Sequence, residues 1–563
     1  MKYSEIIRLN HELEGKLEGA EYKVAILSNI MVHQSKDICE YLLRIESINT
    51  KVVIGEYDNI VQDSEKNQDS DAVVIFWEAC NFIDGLQYKI DLFSDKEFNG
   101  IVNKIKLEID IVLSALKNTS IVIINKFSSL IFDQFSLSDN NLRRLIDILN
   151  KHLKDSVRVN TRLVDVDGII SRLSIKSATD LRYYHSSKTL YSVEFYKEYF
   201  ENIKYFFFAA NGKTKKALIF DCDNTLWKGI LAEDGFDGIE IFQEIQYLAL
   251  CLIKKGVIIG LCSKNNPEDV DNVLENHPDM VLRNDNIVIK KINWDNKVLN
   301  LKSIAEDLNI GLESLVFIDD SDFEVGLIKQ KLPDVKVFQV PSKKHEYRLM
   351  MKIVSNLFYN TSITEEDAQK NKMYKEQVER SKVKNKAVNI ESYLVSLGIS
   401  ITVYLDNISQ SSRISQLTQK TNQFNLTTKR YTESDINSLI LDVEKIVISI
   451  EVEDKYGQSG LTGLAILCKK SLMIDTLLLS CRVLGRNIEY KFLDIVIDIA
   501  NKNSIKTLKA KYIKTKKNQQ VNDFYNQCGF NITDRSDNIS QYSLDINKYK
   551  YKHIKYIKAI NGN

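Results

Sequence analysis

Residues 216–225, KALIFDCDNT, decide how this chain is read. Ala217, Leu218, Ile219 and Phe220 form an unbroken apolar run that ends in Asp221-Cys222-Asp223-Asn224-Thr225. Such a run marks a strand covered on both faces, as in a parallel α/β sheet. Open α/β sheets bind ligands at the carboxyl ends of central strands. Two carboxylates one residue apart at that end therefore make a candidate site, and together they favour a divalent cation. Oxygen ligands suit Mg2+, which needs few protein carboxylates because it keeps waters and takes substrate phosphate oxygens for the rest.

Farther along the chain, VIIGLCS (257–263) is a second apolar strand, ending in Ser263, whose hydroxyl is available to a phosphoryl oxygen. Lys297 stands on a helical stretch, and LVFIDD (315–320) closes a third strand with the acidic pair Asp319-Asp320. Acids, hydroxyl, lysine and acids form a phosphoryl-transfer constellation. An Asp-rich turn alone would be weak evidence, but four ordered motifs, each at a strand end or on the following helix, are specific.

The 563 residues exceed one ordinary core, and at about 150 residues per domain they fit three to four. Lys+Arg and Asp+Glu balance at 76 each, which removes the bulk electrostatic case for nucleic acid or an anionic membrane. A hydrophobic content of 44% with 27% charged residues belongs to a globular protein. The opening MKYSEIIRLN lacks an apolar leader core, and YLALCLIKKGVIIGLC (247–262) is interrupted by Lys254 and Lys255. Neither signal peptide nor membrane helix is expected, and the setting is expected to be cytoplasmic. The eight cysteines form no CxxC pair, as expected of reduced thiols.

Alternating strand and helix patterns predict an α/β unit over 1–211 and a second over 212–355, which holds all four prolines. A charged stretch within 356–388, with few apolar positions, reads as a connecting helix or solvated strut. A mixed α+β unit follows over 389–563, with helices expected at 488–501 and near 519–528.

The four motifs resemble those of the haloacid dehalogenase (HAD) superfamily. The resemblance implies that Asp221 attacks phosphorus, that Asp223 protonates the leaving group and later activates water, and that Ser263 and Lys297 hold the phosphoryl group. It further implies Mg2+ held among Asp221, Asp223, Asp319 and Asp320. DCDNTLW, LCSKNNPEDV, NHPDMVLR, INWDNK, RISQLTQKTNQFNLTTKRYT and SCRVLGRNIE look like the FkbH-like proteins of that superfamily, over nearly the whole chain. That family implies an SGNH-hydrolase-like N-terminal domain, a HAD-like central domain and a GNAT-like acyltransferase domain. The implied reaction takes bisphosphoglycerate and delivers a glyceryl thioester to an acyl carrier protein in polyketide-type biosynthesis. No stretch outside the three units is long enough for a fused carrier, so the carrier is expected in trans.

Acyl transfer from an acyl phosphate is easiest through an enzyme thioester. Cys222 lies between the two carboxylates, yet strand alternation turns it away from them and anions raise a thiol pKa. Cys481 is the rival, at a turn into a helix beside Arg482 and Arg486. This turn resembles the GNAT pyrophosphate loop through Arg482, Gly485 and Arg486, with Asn487 replacing its final small residue. Asn518 and Tyr525 resemble the GNAT ending. The amide-rich run around Arg413, Gln416, Lys420, Asn422 and Asn425 reads either as an acyl-transfer lining or as a structural cap. Lysines 506–517 could face an acidic carrier or only solvent. In the first unit, Ser28 with His185 would be the only hydrolase candidates, and a docking or lid role is preferred. A stand-alone sugar-phosphate phosphatase and a docking scaffold with a vestigial site remain as alternatives.

Overall fold

The computed structural model describes residues 1–17, 19–133, 140–360, 365–386, 389–515 and 517–562. They divide into two compact units, Met1–Asn211 and Gly212–Asn563. Lys516, part of the basic run, lies outside the described residues.

In the first unit, β1 (Tyr22–Ser28), β2 (Thr50–Ile54), β3 (Ala72–Phe76), β4 (Ile121–Asn125) and β5 (Thr161–Val164) form a sheet of order β2-β1-β3-β4-β5. Every pairing is parallel. The runs AVVIF and IVIIN are buried throughout, as central parallel strands require. Helices α1 (Asp95–Ala115) and α2 (Asn141–Ser156) pack their apolar stripes, including Ile109, Val112, Leu145 and Leu149, into the core around β3 and β4. Ser94 and Glu97 close the start of α1 with a reciprocal capping box. Helix α3 (Val193–Ala210) brings Tyr196 and Tyr199 against Phe76, with the Tyr199 and Phe76 rings 4.7 Å apart.

The second unit holds two large sheets. Strands β6 (Ala217–Phe220), β9 (Ile258–Ser263), β10 (Ile289–Ile292), β11 (Leu315–Asp319) and β12 (Lys336–Gln339) form a parallel sheet of order β10-β9-β6-β11-β12. A separate small ribbon pairs β7 (Trp227–Lys228) with β8 (Glu240–Ile241). The parallel register aligns Phe220 with Ile318, so the next residues, Asp221 and Asp319, sit side by side at the carboxyl edge. One core face is covered by α4 (Gln243–Lys254), α5 (Pro267–Asn276) and α8 (Lys344–Asn356), the other by α6 (Lys297–Leu308) and α7 (Asp322–Lys331). Gly260 in β9 leaves room for both neighbours, since a Cβ there would meet the side chains of Ile219 and Ile289 at 2.8 Å.

The other large sheet runs β19 (Asn531–Arg535), β20 (Ile539–Asp545), β18 (Thr507–Ile513), β17 (Met473–Leu479), β16 (Gly457–Cys468), β15 (Lys445–Asp454), β13 (Ser400–Leu405) and β21 (Lys558–Asn561). Parallel strands β17 and β18 pair only through Met473–Lys509 and Ile474–Ala510. Beyond that point the short strand β14 (Phe424–Asn425) pairs with Leu478 and Leu479 of β17. Leu426 N donates to Leu477 O and Ile513 N donates to Leu426 O, so the segment bridges the two strands where they part. The expected helix near 519–528 is two short turns, Gln519–Val521 and Phe524–Gln527.

Helix α9 (Glu365–Lys386) is not a solvated strut. Its Met373, Tyr374, Val378 and Arg380 are buried, and Tyr374 and Val378 join the core beneath α6. The charged composition hid this because one of the buried residues is itself an arginine with a carboxylate partner.

Candidate active site

The site grows from three strand ends and one helix start. Lys297, the first residue of α6, reaches back into the sheet edge, its Nζ 3.0 Å from Asp221 Oδ1 and 2.7 Å from Asp319 Oδ2. All three side chains are buried. Asp221, Asp319 and Asp320 each offer a carboxylate oxygen, and these three oxygens lie within 4.8 Å of one another. Ser321 N donates to Asp319 Oδ1 at 2.9 Å, which fixes the second oxygen of that carboxylate.

Burial pushes the Asp221 carboxyl up to about 7; the Lys297 ammonium pulls it down and the Asp319 charge adds to the rise. Burial and the neighbouring Asp319 also raise Asp320. Burial alone would lower Lys297, but Asp221 and Asp319 together hold it above its ordinary value. Two carboxylates thus share one buried ammonium with a third close by, an excess of negative charge in a confined space. No hydrogen bond of good geometry reaches Asp221 Oδ1. An oxygen-only donor set with one under-satisfied carboxylate fits a hard divalent cation.

The Asp223 carboxylate lies outside this group of three and is held by donors of its own. Its Oδ1 accepts from Trp227 Nε1 at 2.9 Å and Leu231 N at 3.1 Å, and its Oδ2 accepts from Asn265 Nδ2 at 3.0 Å. Asn265 also donates to Ser263 Oγ at 3.2 Å, linking the hydroxyl to the second carboxylate. Asn224 adopts a left-handed backbone, φ 52°, and its side chain accepts from Gly229 N, turning the chain into β7. Sequence reasoning missed Asn265 and Trp227 as positioning residues. The one available signal was their nearness to Ser263 and Asp223.

Neither candidate thiol is brought to these carboxylates as an open nucleophile. Cys222 is fully buried in the core that also holds Leu218, Phe220 and Trp227, and burial drives its thiol far up. Cys481 packs with Tyr374 and Val378, and Lys216 Nζ lies 3.8 Å from its Sγ. Lys216 precedes β6 and Asp221 follows it, so the two ends are separated by about 16 Å of strand. Cys481, one of the two candidate thiols, therefore lies toward the opposite edge of the sheet from the acids.

The expected cofactor loop is likewise occupied by internal contacts. Arg486 Nη1 donates to Asp454 Oδ2 at 2.6 Å, and Arg380 of α9 grips the same carboxylate through bonds of 2.9, 3.2 and 2.9 Å. Arg482 is buried and donates to Ser480 Oγ and Met373 Sδ. Gly485 and Asn487 take left-handed φ values of 76° and 62° at the turn into the helix Ile488–Lys502. Asn518 is a pin: its Nδ2 donates to Asn425 O and Ile513 O, both at 2.9 Å, and its Oδ1 accepts from Thr515 N. Tyr525 is buried among Phe524, Phe530 and Tyr542. Asn425, from the amide-rich run, belongs to the segment bridging β17 and β18. In the first unit, Ser28 Oγ donates to Phe76 O and accepts from Ile30 N, while His185 is exposed.

No protein-family model and no curated protein matches the chain. Among solved structures it is similar to the N-terminal part of BF1531 from Bacteroides fragilis, which contains a phosphatase domain and was solved complexed with Mg. Identity is 23% and TM-score 0.55, covering 64% of this chain and 100% of that one. It is also similar to the spermidine/spermine N-acetyltransferase SpeG from Vibrio cholerae, at 15% identity and TM-score 0.22 over 26% of this chain and 95% of that one. A third, the ribosomal-protein-S18-alanine N-acetyltransferase from Escherichia coli, has 13% identity and TM-score 0.21 over 26% and 94%. The first likeness establishes a shared fold; the other two are too slight to characterise the last sheet. The chain is thus a multi-domain α/β protein that over 64% of its length shares a fold with the BF1531 fragment, and one of its parallel sheets carries a carboxylate cluster. No helix among the described residues is long and apolar enough to cross a membrane.

Proposed function

We propose that the chain is a Mg2+-dependent phosphatase and glyceryl transferase of the FkbH-like branch of the HAD superfamily, with an SGNH-like first domain and a GNAT-like last domain. The observation that carries this reading is the convergence of Asp221 and Asp319 on Lys297 with Asp320 beside them, while the Asp223 carboxylate is held apart by its own donors. Asp221 is the nucleophile: its oxygen bonds to phosphorus as the bond from phosphorus to the leaving oxygen breaks. Asp223 gives that oxygen a proton, then takes one from the water that hydrolyses the aspartyl phosphate. Trp227 and Leu231 N fix the Asp223 carboxylate for both transfers, and Ser263 and Lys297 hold the phosphoryl oxygens. Mg2+ held by Asp221, Asp319 and Asp320 supplies charge neutralisation for the phosphoryl group.

The substrate in this reading is bisphosphoglycerate and the acceptor is the phosphopantetheine thiol of an acyl carrier protein, toward polyketide-type products. Acyl transfer breaks the carbonyl carbon–oxygen bond, with phosphate leaving, whereas Asp221 breaks a phosphorus–oxygen bond. Because Cys222 and Cys481 are remote or enclosed, the carrier thiol attacks the acyl carbon directly. A macromolecular partner is supported by Trp294, Leu299 and Phe323, which are 70%, 62% and 72% exposed. They stand just before α6, on its first turn and on the first turn of α7, the elements that carry Lys297 and follow Asp319. Large apolar side chains left in water beside a site mark a docking surface. The test is intact-protein mass spectrometry with Mg2+, enzymatically generated bisphosphoglycerate and a phosphopantetheinylated carrier. A glyceryl mass on the carrier is expected, and phosphate release with no adduct would remove the transferase half.

That second outcome would leave a stand-alone phosphomonoesterase acting on a sugar phosphate. Two observations favour it: Phe424–Leu426 fills the parting of β17 and β18, and Arg482 and Arg486 are engaged internally.

A further inference from the structure

Beside the carboxylate cluster lies a cleft of about 670 Å³, lined among others by Asn224, Asp320, Lys228, Lys344, Phe242 and Tyr347. A space of this size takes a ligand of several carbons rather than a phosphate ion alone. Its charges are segregated by role. Asp320 belongs to the cluster that fits a cation, and Asp322, the other lining acid, accepts from Gln339 Nε2 at 2.6 Å. The lining lysines come from elsewhere in the fold. Lys228 ends β7, and Lys344 begins α8.

Both ammonium groups are organised by Glu240, which stands opposite Lys228 across the ribbon. Lys344 Nζ lies 3.0 and 3.1 Å from the two Glu240 oxygens, and Lys228 Nζ is 3.8 Å from one of them. Lys344 Nζ also sits 5.2 Å from the centroid of the Phe242 ring. One carboxylate between two ammonium groups leaves a net positive charge, and each ammonium retains donors beyond those Glu240 accepts. Both lysines are exposed, so their ammonium groups stay open to a ligand that enters the cleft.

We propose that Lys228 and Lys344 form a subsite for a second anionic group, a carboxylate or a phosphate, on the small molecule whose phosphoryl group enters at Asp221. This rests on the phosphatase reading and names its substrate class: phosphate compounds with a second anion, in preference to neutral phosphomonoesters. The probes are D-glycerate 3-phosphate and sn-glycerol 3-phosphate, which match in carbon number and differ in a carboxylate at the far end.

With Mg2+, the unsubstituted chain should favour the glycerate ester in kcat/KM by about tenfold, and Lys228→Met or Lys344→Met should erase most of that ratio through KM. Calorimetric binding to Asp223→Asn, which retains Asp221, reads the same preference without turnover. It should fall about tenfold when Lys344→Met is added. Equal binding of the two esters, or a preference untouched by both lysine substitutions, would overturn the subsite. A binding preference that depends on the lysines, with no turnover of either ester, would overturn the phosphatase reading alone and leave the anion subsite standing.

Discussion

The strand end at Asp221 and the strand end at Cys481 share a sequence logic: an apolar run, then polar residues at a turn toward a helix. Their structures diverge. At Asp221 the polar atoms converge on a shared point, where three carboxylates cluster and one ammonium holds two of them. At Cys481 the cations have already found their anion, since Arg486 and Arg380 close on Asp454. A site leaves polar groups under-satisfied beside an open cleft, whereas a structural joint buries them against partners of its own. The comparison teaches that a motif's residue types announce chemistry only when their partners lie outside the chain.

The harshest way to break that comparison is Asp221→Asn. Phosphate release should fall by roughly 10⁴ or more, the scale of losing a nucleophile, while the circular dichroism spectrum stays unchanged. Persistent turnover would return the Asp221 strand end to the structural class. Next is Lys297→Met, which leaves buried carboxylates without their cation and should cost roughly 3–5 kcal/mol. Burial already raises Asp221 from 3.8 to about 7, so its folded form binds a proton more readily than its unfolded form. That carboxyl therefore favours folding least at high pH, with the loss building up as pH rises from 3.8 through 7. Without Lys297 the loss should steepen and extend to higher pH, which chemical denaturation at pH 5.5 and 8 would show. Equal stability at both values would mean the carboxylates are better hydrated than their burial indicates.

How far these regions were legible beforehand follows from the range of the interactions. Parallel strands announce themselves by local apolar runs, so β6, β9 and β11 and the acids at their ends stood in plain view. The Asp221–Asp319 neighbourhood also followed, because both residues end strands of one sheet. The Arg380–Asp454 bond joins residues 74 positions apart, and no spacing rule reaches that far. For the same reason the sequence left α9 open between a connecting helix and a solvated strut, and β14, two residues long, carried no periodicity to detect. The closeness of Asp223 to Asp221 was legible, whereas the three donors that hold its carboxylate, two of them from Leu231 and Asn265, were not.

A gentler probe is Arg486→Met, which should cost roughly 1–3 kcal/mol, since Asp454 keeps its bonds to Arg380 and loses one charge-assisted partner. Thermal unfolding should report that loss while phosphate release stays within about twofold. The reverse outcome, full stability with loss of acyl transfer, would move the loop into the class of ligand sites and make Asp454 a resting partner displaced on binding.

The smallest expected effect separates the mechanisms most sharply. Cys481 is buried against α9, and Cys222 is enclosed in the apolar core. Changing either to alanine removes one sulfur atom, which should cost on the order of 1–2 kcal/mol. If the carrier thiol attacks the acyl group directly, both variants keep glyceryl loading within about threefold, less than 1 kcal/mol in barrier. An enzyme thioester demands the opposite, with one variant losing loading by orders of magnitude while still releasing phosphate. Should that variant be Cys481→Ala, the acyl group would have to travel about 16 Å from the Asp221 edge, the length of β6 and its flanking residues. Such transit requires the acyl group to ride a tether, and a phosphopantetheine arm is a tether of suitable kind. Even that outcome keeps phosphorus chemistry at one end of the sheet and sulfur at the other, with the carrier's own arm joining them.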